Sequence, residues 1–402
     1  MNAPNSPRAA GWHAMLVVFL KEVRDSLRDR RTVISALLTG PLLTPLLFGM
    51  LLTTTINQQL DKAEQPLKVP VIGAAYAPHL LDALRAGNVW PQPAVADPDQ
   101  AVRDQDAELV LRIAPSYPTH WRAGEPAQVE LIYDSSQRGS DAVFDRVSDL
   151  VQNYARQQGA MRLIARGLSP ALAAPVVVAR RDQATAQSRA VLLFNMLPYM
   201  FVLAIFIGGM SLAIDLTAGE RERQSLEPLF ANPLGRGRIL LGKLAAICAF
   251  SLASLVICLL AFGVVGRFIP ADKLGMELEM GARFIGYVLL LQLPMVVLLA
   301  ALQSLVAAFA KSYREAQTYV SLLMLLPILP SIALTVLPFK PQEWMYAVPL
   351  LGQYLGIIDL VRGAAIGGQQ LLSCLAGTAL AALLAVWVTM RLYCSERLAI
   401  SA

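Results

Sequence analysis

Residues 219–243 read GERERQSLEPLFANPLGRGRILLGK, a charged segment that lies between two long apolar runs. Residues 190–214 before it and residues 244–265 after it contain no charged side chain. About 20 apolar residues in an α-helix cross a hydrocarbon core of about 30 Å. The sequence therefore predicts a polar loop, bounded at 215–243, that two spans hold at one membrane surface. Its five Lys and Arg residues predict that this surface is cytoplasmic.

Composition independently indicates a membrane protein. The chain is 55% hydrophobic and only 16% charged, whereas soluble domains are about 25% charged. The formal net charge of +5 comes from basic residues beside the apolar runs, which argues against a nucleic-acid-binding surface. The four cysteines lie in or next to predicted spans, and their spacing suggests neither a disulfide framework nor a metal site.

Six transmembrane helices are predicted. They lie at 33–56, 190–214, 244–265, 284–310, 317–337 and 371–390, so residues 190–393 form a membrane domain with five of them. Fifteen Lys and Arg residues fall on the side of the N-terminus and five in the short loops opposite. This bias predicts a multi-pass protein of the cytoplasmic (inner) membrane, with the N-terminal segment 1–32 and the tail 394–402 both cytoplasmic.

An amphipathic helix is predicted at 12–31, directly before the first span. Apolar residues recur on one face at helical spacing, and charged residues occupy the opposite face. The apolar set is Trp12, Met15, Leu16, Phe19, Val23 and Leu27, and the charged set is Lys21, Arg24, Asp25 and Arg28. Such a helix is typical of the headgroup layer of a membrane. The alternative is an ordinary juxtamembrane helix.

Residues 338–370 fit neither a span nor a polar loop. The stretch is apolar but is interrupted by Pro349, Gly352, Gly356, Asp359 and Arg362. Irregular backbone at membrane depth is tolerated where it is buried in protein or lines a cavity. We therefore predict a re-entrant segment before the last span, with an exposed interfacial loop as the alternative.

Residues 57–189 have the character of a separate soluble domain. The segment is polar, its charges nearly balance, and its length is sufficient for an independent core. Strand-like runs at 67–75, 107–113, 129–133 and 175–179 alternate with helical patterns, of which the longest spans 140–167. An inserted α/β domain on the extracytoplasmic side is predicted.

Known catalytic motifs give no support for an enzyme. Residues 237–243 read GRILLGK and match G-x-x-x-x-G-K, but Leu244 stands where a phosphate-binding loop needs Ser or Thr. The histidines His13, His79 and His120 are far apart in sequence, and no catalytic or metal-ligating set accompanies them. A membrane-embedded enzyme is accordingly the weakest of the functional hypotheses.

The order of these features resembles the permease subunits of type-2 ABC exporters, a group that includes sodium-efflux permeases. The resemblance covers nearly the whole chain, and three stretches are its specific parts: KEVRDSLRDRR at 21–31, the segment 219–243, and PLLGQYLGIIDLVRG at 349–363. It implies a subunit that forms a homodimer, or a heterodimer with a similar permease, and binds two cytosolic ABC ATPase subunits. ATP and magnesium would then belong to the partner ATPase, and this chain would hold no cofactor.

The resemblance also implies which residues contact the ATPase. The expected coupling residues are Glu22, Arg24, Asp25, Arg28, Glu220, Arg221, Glu222, Arg223, Leu226, Glu227 and Pro233. Polar side chains in or near the spans are candidates for the translocation path, because such residues are usually functional. They are Asn195, Gln292, Gln303, Gln353 and Asp359.

The substrate stays open at this point. Two carboxylates, Asp215 at the end of a span and Asp359, stand among neutral polar groups. This set suits an amphipathic or lipid-like compound at least as well as sodium, which only the resemblance suggests. A second class of function is a membrane-anchored sensor or scaffold that uses the extracytoplasmic domain as a binding module.

Overall fold

The computed structural model describes residues 7–137, 140–173, 194–225, 235–270, 280–330, 332 and 341–394. Contacts between residues divide the chain into two compact units. The first comprises Met1–Asn57 and Gln183–Ala402, and the second comprises Gln58–Asp182. The polar domain that the sequence predicts, 57–189, covers nearly the same residues as the second unit.

The longer elements, in chain order, begin with two helices and a small mixed α/β region. These are α1 (Pro7–Arg28), α2 (Gly40–Glu64), β1 (Leu67–Ile72), α3 (Pro78–Ala86), β2 (Val89–Gln92), α4 (Pro98–Arg103), β3 (Leu109–Ile113), α5 (Tyr117–Ala123), β4 (Val129–Tyr133) and α6 (Ser140–Ala165). The remainder is helical. It comprises α7 (Leu197–Ile214), α8 (Arg236–Val265), α9 (Ala282–Phe309), α10 (Tyr313–Leu323), α11 (Leu351–Val361) and α12 (Gly368–Cys394).

Among the described residues, five helices are long and apolar enough to cross a membrane. They are Ile34–Asn57, Leu197–Glu222, Arg236–Phe268, Ala282–Phe309 and Gly368–Cys394. The predicted span at 317–337 begins within α10, which ends at Leu323, and residues 333–340 lie outside the described ranges. A sixth span therefore stays a prediction.

Helix α7 is the most enclosed of these helices. Its apolar window is 67% buried, against 28% for α2 and 22% for α12, as expected for a helix that is apolar all round. Gly208 and Gly209 let α8 approach α7 closely. A Cβ atom on Gly208 would lie 2.5 Å from the Ser254 Cβ atom, and small residues commonly permit such contacts between membrane helices.

Glycines also position the short helix α11. The 3₁₀ turn Glu343–Ala347 lies against α11 and α12. Gly352 of α11 approaches the Tyr346 carbonyl oxygen, and Gly377 of α12 approaches the Ala347 carbonyl oxygen, so closely that neither position has room for a Cβ atom. With its 11 residues, α11 rises about 16 Å, roughly half of a hydrocarbon core. The predicted re-entrant segment stays a prediction.

The second unit is built on a four-stranded sheet of order β2-β1-β3-β4. Strands β2, β1 and β3 are parallel, and β4 runs antiparallel to β3. Successive residues of a strand point to opposite faces, and both faces are covered here. Leu109 and Leu111 pack with α3, α5 and α6 on one face, whereas Val110 packs with Val102 of α4 on the other.

Three of the four strands lie within sequence runs that predict strands, at 67–75, 107–113 and 129–133. The fourth predicted run, 175–179, lies outside the described residues. Strand β2 was not predicted, because its sequence VWPQ contains Pro91. Proline lacks an N–H group and is confined largely to edge strands, and β2 is an edge strand of this sheet.

The long helix predicted at 140–167 corresponds to α6. Its predicted apolar face packs against the sheet, through Val143, Phe144, Val147, Leu150, Val151 and Tyr154. Periodicity alone located this face, since residues three and four apart share one side of a helix.

Candidate functional site

The loop predicted at 215–243 is helical at both ends. Helix α7 continues through a π-helical turn, Asp215–Gly219, into the single turn Glu220–Glu222. At the other end α8 begins at Arg236. The expected coupling residues Leu226, Glu227 and Pro233 lie between these helices, outside the described residues.

Four consecutive charged residues at the end of this helix reach four different partners. Glu220 forms an ion pair with Lys243 of α8, and Arg223 forms one with Asp215. The Arg221 Nη1 atom donates to the Ala310 carbonyl oxygen at 3.3 Å, and the Tyr313 backbone N–H donates to the Glu222 carboxylate at 2.7 Å. We call residues 215–223 together with Lys243 the charged junction. It connects the end of α7 to α8 and to the turn between α9 and α10.

Lys243 is the member of the charged junction that the sequence did not reveal. Its side chain is only 1% exposed, and the Glu220 side chain is 13% exposed. The Lys243 ammonium also donates to the Leu216 carbonyl oxygen at 3.2 Å, and the Tyr393 hydroxyl of α12 donates to the same oxygen at 3.3 Å. A buried charge is expensive unless it is paired and hydrogen-bonded, so these contacts account for a lysine at this depth.

The sequence offered one usable signal for Lys243. It is the last charged residue before a long uncharged run, and the residues just before it, Ile239–Gly242, are already helical and mostly apolar. Lys243 also counts among the basic residues whose bias predicts the topology. A lysine two turns inside a largely apolar helix must find a partner, and Glu220 supplies it.

Helix α1 packs against α8 beside the charged junction. Among its described side chains Val18 and Glu22 are buried, and a Cβ atom on Gly242 would lie 2.9 Å from Val18. Of the predicted apolar face, Val23 packs against the core cluster that contains Leu240 and Leu244 of α8, whereas Trp12, Leu16 and Leu27 are exposed.

Glu22 is therefore not displayed for a partner in this structure. Its side chain is 4% exposed, and Lys21 donates to its carboxylate at 3.0 Å. Partial burial acts to lower the pKa of Lys21, but the hydrogen bond to Glu22 and the carboxylates of Glu22, Glu220 and Asp25 raise it above its ordinary value. Arg24, Asp25 and Arg28 are exposed and are the expected coupling residues of α1 that a partner can reach.

The turn between α9 and α10 is itself well ordered by hydrogen bonds. The Ser312 side chain accepts from the Glu315 backbone N–H at 3.3 Å, and the Glu315 carboxylate accepts from the Lys311 backbone N–H at 2.7 Å. Ser312 thus caps the N-terminus of α10, and Glu315 binds the backbone just before this cap. The hydrogen bond from Lys311 is the main cause that holds the pKa of Glu315 below its ordinary value. The turn therefore offers the charged junction a fixed support.

The candidate translocation residues fall into two groups of contacts. In the helix bundle, Gln292 and Gln303 of α9 are fully buried. The Gln303 side-chain amide donates to the Phe206 carbonyl oxygen at 2.8 Å. Its carbonyl oxygen and both polar atoms of Gln292 have no hydrogen-bond partner among the described residues. Asn195 lies half-buried just before α7.

The second group lies around α11. The Gln353 side chain accepts from the Leu350 backbone N–H at 2.8 Å and donates to Thr378 of α12 at 2.6 Å. The Tyr346 hydroxyl donates to the Asp359 carboxylate at 2.5 Å, and Arg362 lies 4.0 Å from the same carboxyl group. Asp359 thus has two partners, of which the sequence indicated only Arg362.

The long apolar helices, together with the charged junction at the end of α7, define a multi-pass membrane protein. A family model described as "ABC-2 family transporter protein" matches residues 30–388. Since this match covers most of the chain, the protein belongs to the ABC-2 transporter family.

The chain is also similar to the ABC transporter permease protein NatB of Bacillus subtilis (strain 168). The two are 26% identical over 318 residues, which cover 78% of this chain and 80% of the relative. The resemblance to type-2 ABC permeases is confirmed, and the chain is a NatB-like permease subunit. Membership of this family implies association with ATPase subunits and dimerisation in general.

Proposed function

We propose that this permease is the membrane subunit of an ATP-driven exporter and that the charged junction receives the movement of two cytosolic ATPase subunits. The observation that carries the proposal is the set of contacts made by Glu220–Glu222. These few residues are joined to α8, to the end of α9 and to the start of α10. A force applied there reaches three helices at once, as coupling through a contiguous rigid element requires.

The direction in which the junction faces follows from the basic residues. The excess of Lys and Arg on the side of the N-terminus favours cytoplasmic termini in the inner membrane. In this topology the charged junction and α1 face the cytosol, where ATPase subunits reside, and residues 57–189 form an extracytoplasmic domain. The exposed residues Arg24, Asp25 and Arg28 of α1 would extend the contact surface.

The proposed path for the substrate passes the two groups of polar side chains at Gln292 and Gln303 and at Gln353 and Asp359. Their neutral amides outnumber the single carboxylate, which suits an amphipathic or lipid-like compound at least as well as sodium. ATP-dependent uptake of a fluorescent amphiphile and of ²²Na⁺ into inside-out vesicles distinguishes the two classes of substrate.

Reversing two charges of the loop tests the coupling role. We expect Glu222→Arg combined with Glu227→Arg to detach or uncouple the ATPase subunits, because inverted charges at an interface cost several kcal/mol, or about a hundredfold in affinity. The measurements are co-purification of the ATPase and ATP-dependent transport, with thermal unfolding of the permease as the check on folding.

The control separates charge from local structure. Glu222→Gln with Glu227→Gln keeps an acceptor oxygen for the Tyr313 backbone N–H but introduces no opposing charge, so co-purification should be largely retained. If the double arginine variant co-purifies normally and hydrolyses ATP in step with transport, the charged junction has no coupling role.

Asp359 offers a test of the translocation path. In Asp359→Asn the Tyr346 hydroxyl keeps an acceptor oxygen, but Arg362 loses its countercharge. Charge-assisted hydrogen bonds are roughly twice as strong as neutral ones, so the loss is about 1 kcal/mol. We expect slower transport with normal assembly and normal basal ATP hydrolysis.

Two further variants interpret that result. Tyr346→Phe removes the hydrogen bond but keeps the ring and the charge of Asp359, so it reports on the hydrogen bond alone. Exchange of the pair, Asp359→Arg with Arg362→Asp, should not restore full stability, because Tyr346 would face an arginine. Normal transport by Asp359→Asn would remove Asp359 from the path.

A further inference from the structure

In the sheet of the second unit, β1 lies between its two parallel neighbours, β2 and β3. From β1 the chain passes through α3 on one face of the sheet to reach β2. It then passes through α4 on the opposite face to reach β3, which lies on the other side of β1. The connections that leave β1 and β3 lead to α3 and α5, which pack on the same face of the sheet. In open α/β sheets, ligands bind beyond the carboxyl ends of the strands.

A cavity lies at this position. Its volume is about 360 Å³, which is within the range of about 300–1,000 Å³ for small-molecule sites. Gly73 and Tyr76, which follow β1, and Ala114 and Pro115, which follow β3, line it. All lining residues belong to the second unit, so the cavity is complete within that unit.

Gly73 is one of the residues that line the cavity. Its backbone adopts a left-handed conformation with φ of 78°, which favours glycine. A Cβ atom at this position would lie 2.5 Å from the Ile113 carbonyl oxygen and 2.8 Å from the Tyr76 ring. The close approach of Gly73 to the end of β3 and to the Tyr76 ring therefore depends on glycine at this position.

Charged side chains of both signs line the cavity. Arg112 Nη1 lies 3.1 Å from Glu130 Oε2, and their side chains are 40% and 48% exposed. They are direct partners across β3 and β4, so in the absence of a ligand they form a cross-strand ion pair. Gln128 adds an amide that can both donate and accept. Because both charged side chains are half-exposed, each can turn toward a ligand.

We infer that this cavity binds a small zwitterionic molecule that contains an ammonium group and a carboxylate, such as a free amino acid or a short peptide. Arg112 would donate to the carboxylate, Glu130 would accept from the ammonium group, and the Tyr76 ring would cover the side chain of the ligand. A purely anionic ligand would bring its charge beside Glu130, and a purely cationic ligand would bring its charge beside Arg112. Only a zwitterion compensates both side chains when their mutual ion pair opens.

The test uses the full-length permease in detergent, with calorimetric titration of alanine, leucine and dialanine. N-acetylalanine, which is only anionic, and alanine methyl ester, which is only cationic, are the matched probes. We expect saturable binding of at least one zwitterion. The blocked counterparts should bind with an affinity at least about tenfold lower. Arg112→Ala and Glu130→Gln should each weaken zwitterion binding by about tenfold or more.

Arg85→Ala is the control. Arg85 forms a similar half-exposed ion pair with Asp82 on α3, with 3.2 Å between the charged atoms, and does not line the cavity, so binding should not change. The inference is overturned if no zwitterion binds saturably at millimolar concentration, if the blocked probes bind equally well, or if Arg112→Ala and Glu130→Gln bind like the unchanged protein. No ATPase subunit is needed, so the outcome is independent of the proposed coupling role.

Discussion

Lys243→Met should strongly destabilise the permease, with a loss of about 3–5 kcal/mol in the free energy of unfolding. The substitution nearly preserves side-chain volume but leaves the carboxylate of Glu220, which is 13% exposed, without its partner. It also removes one of the two donors to the Leu216 carbonyl oxygen. Thermal unfolding of the purified protein, and the yield of monodisperse protein in detergent, measure the effect.

A second substitution separates stability from coupling. Glu220→Met combined with Lys243→Met removes both charges, and apolar replacement of a whole buried ion pair is often neutral or stabilising. We expect this double variant to regain stability, and its complex with the proposed ATPase subunits to hydrolyse ATP without coupled transport, because Glu220 and α8 are no longer joined by charge.

Lys21→Met is the matched control for the loss of a lysine. Lys21 also pairs with a glutamate, but its side chain is 56% exposed, and exposed ion pairs contribute about 0–1 kcal/mol. If Lys243→Met has the same unfolding temperature as the unchanged protein, the buried ion pair does not hold the charged junction together.

Gly377→Ala should displace the 3₁₀ turn Glu343–Ala347 from α12. A Cβ atom there collides with the Ala347 backbone carbonyl group, which cannot turn aside as a side chain can. Overpacking of this kind costs about 1–3 kcal/mol or more. Gly352→Ala meets the Tyr346 carbonyl group in the same way, and the two together should detach α11 and break the contact between Tyr346 and Asp359. Transport and thermal unfolding should both decline.

Gly286→Ala is the control for this pair. Gly286 lies in α9, and a Cβ atom added there would meet nothing within 4 Å. Alanine is favoured over glycine in a helix by about 1 kcal/mol, so stability should be equal or higher. A Gly377→Ala protein as stable and active as Gly286→Ala would show that the turn has room to move.

The elements that the sequence predicted well are those whose pattern is local. The apolar face of α6 follows from spacing along one helix, and three strands follow from short β-prone runs. Strand β2 was missed because Pro91 contradicts the local pattern, and only its place at the edge of the sheet makes proline acceptable there.

The candidate site shows more clearly that sequence patterns predict local features but not contacts between distant residues. The charges of Glu220, Arg221, Glu222 and Arg223 are evident in the sequence, and so is their place at the end of a span. Their partners are not, because Lys243, Ala310 and Tyr313 become neighbours only when the helices pack. The burial of Glu22 is a further case, since the sequence does not show that α1 packs against α8.

The π-helical turn Asp215–Gly219 determines which way the charges beyond it point. A π turn holds one residue more than an α turn, so its conversion to an α turn would rotate the following residues by about 100° around the helix axis. Arg221 and Glu222 would then point away from Ala310 and Tyr313. Lys243 and Tyr393 both donate to the Leu216 carbonyl oxygen, which belongs to this π turn. These two hydrogen bonds therefore oppose the rotation, and they set the angular register in which this helix meets its neighbours.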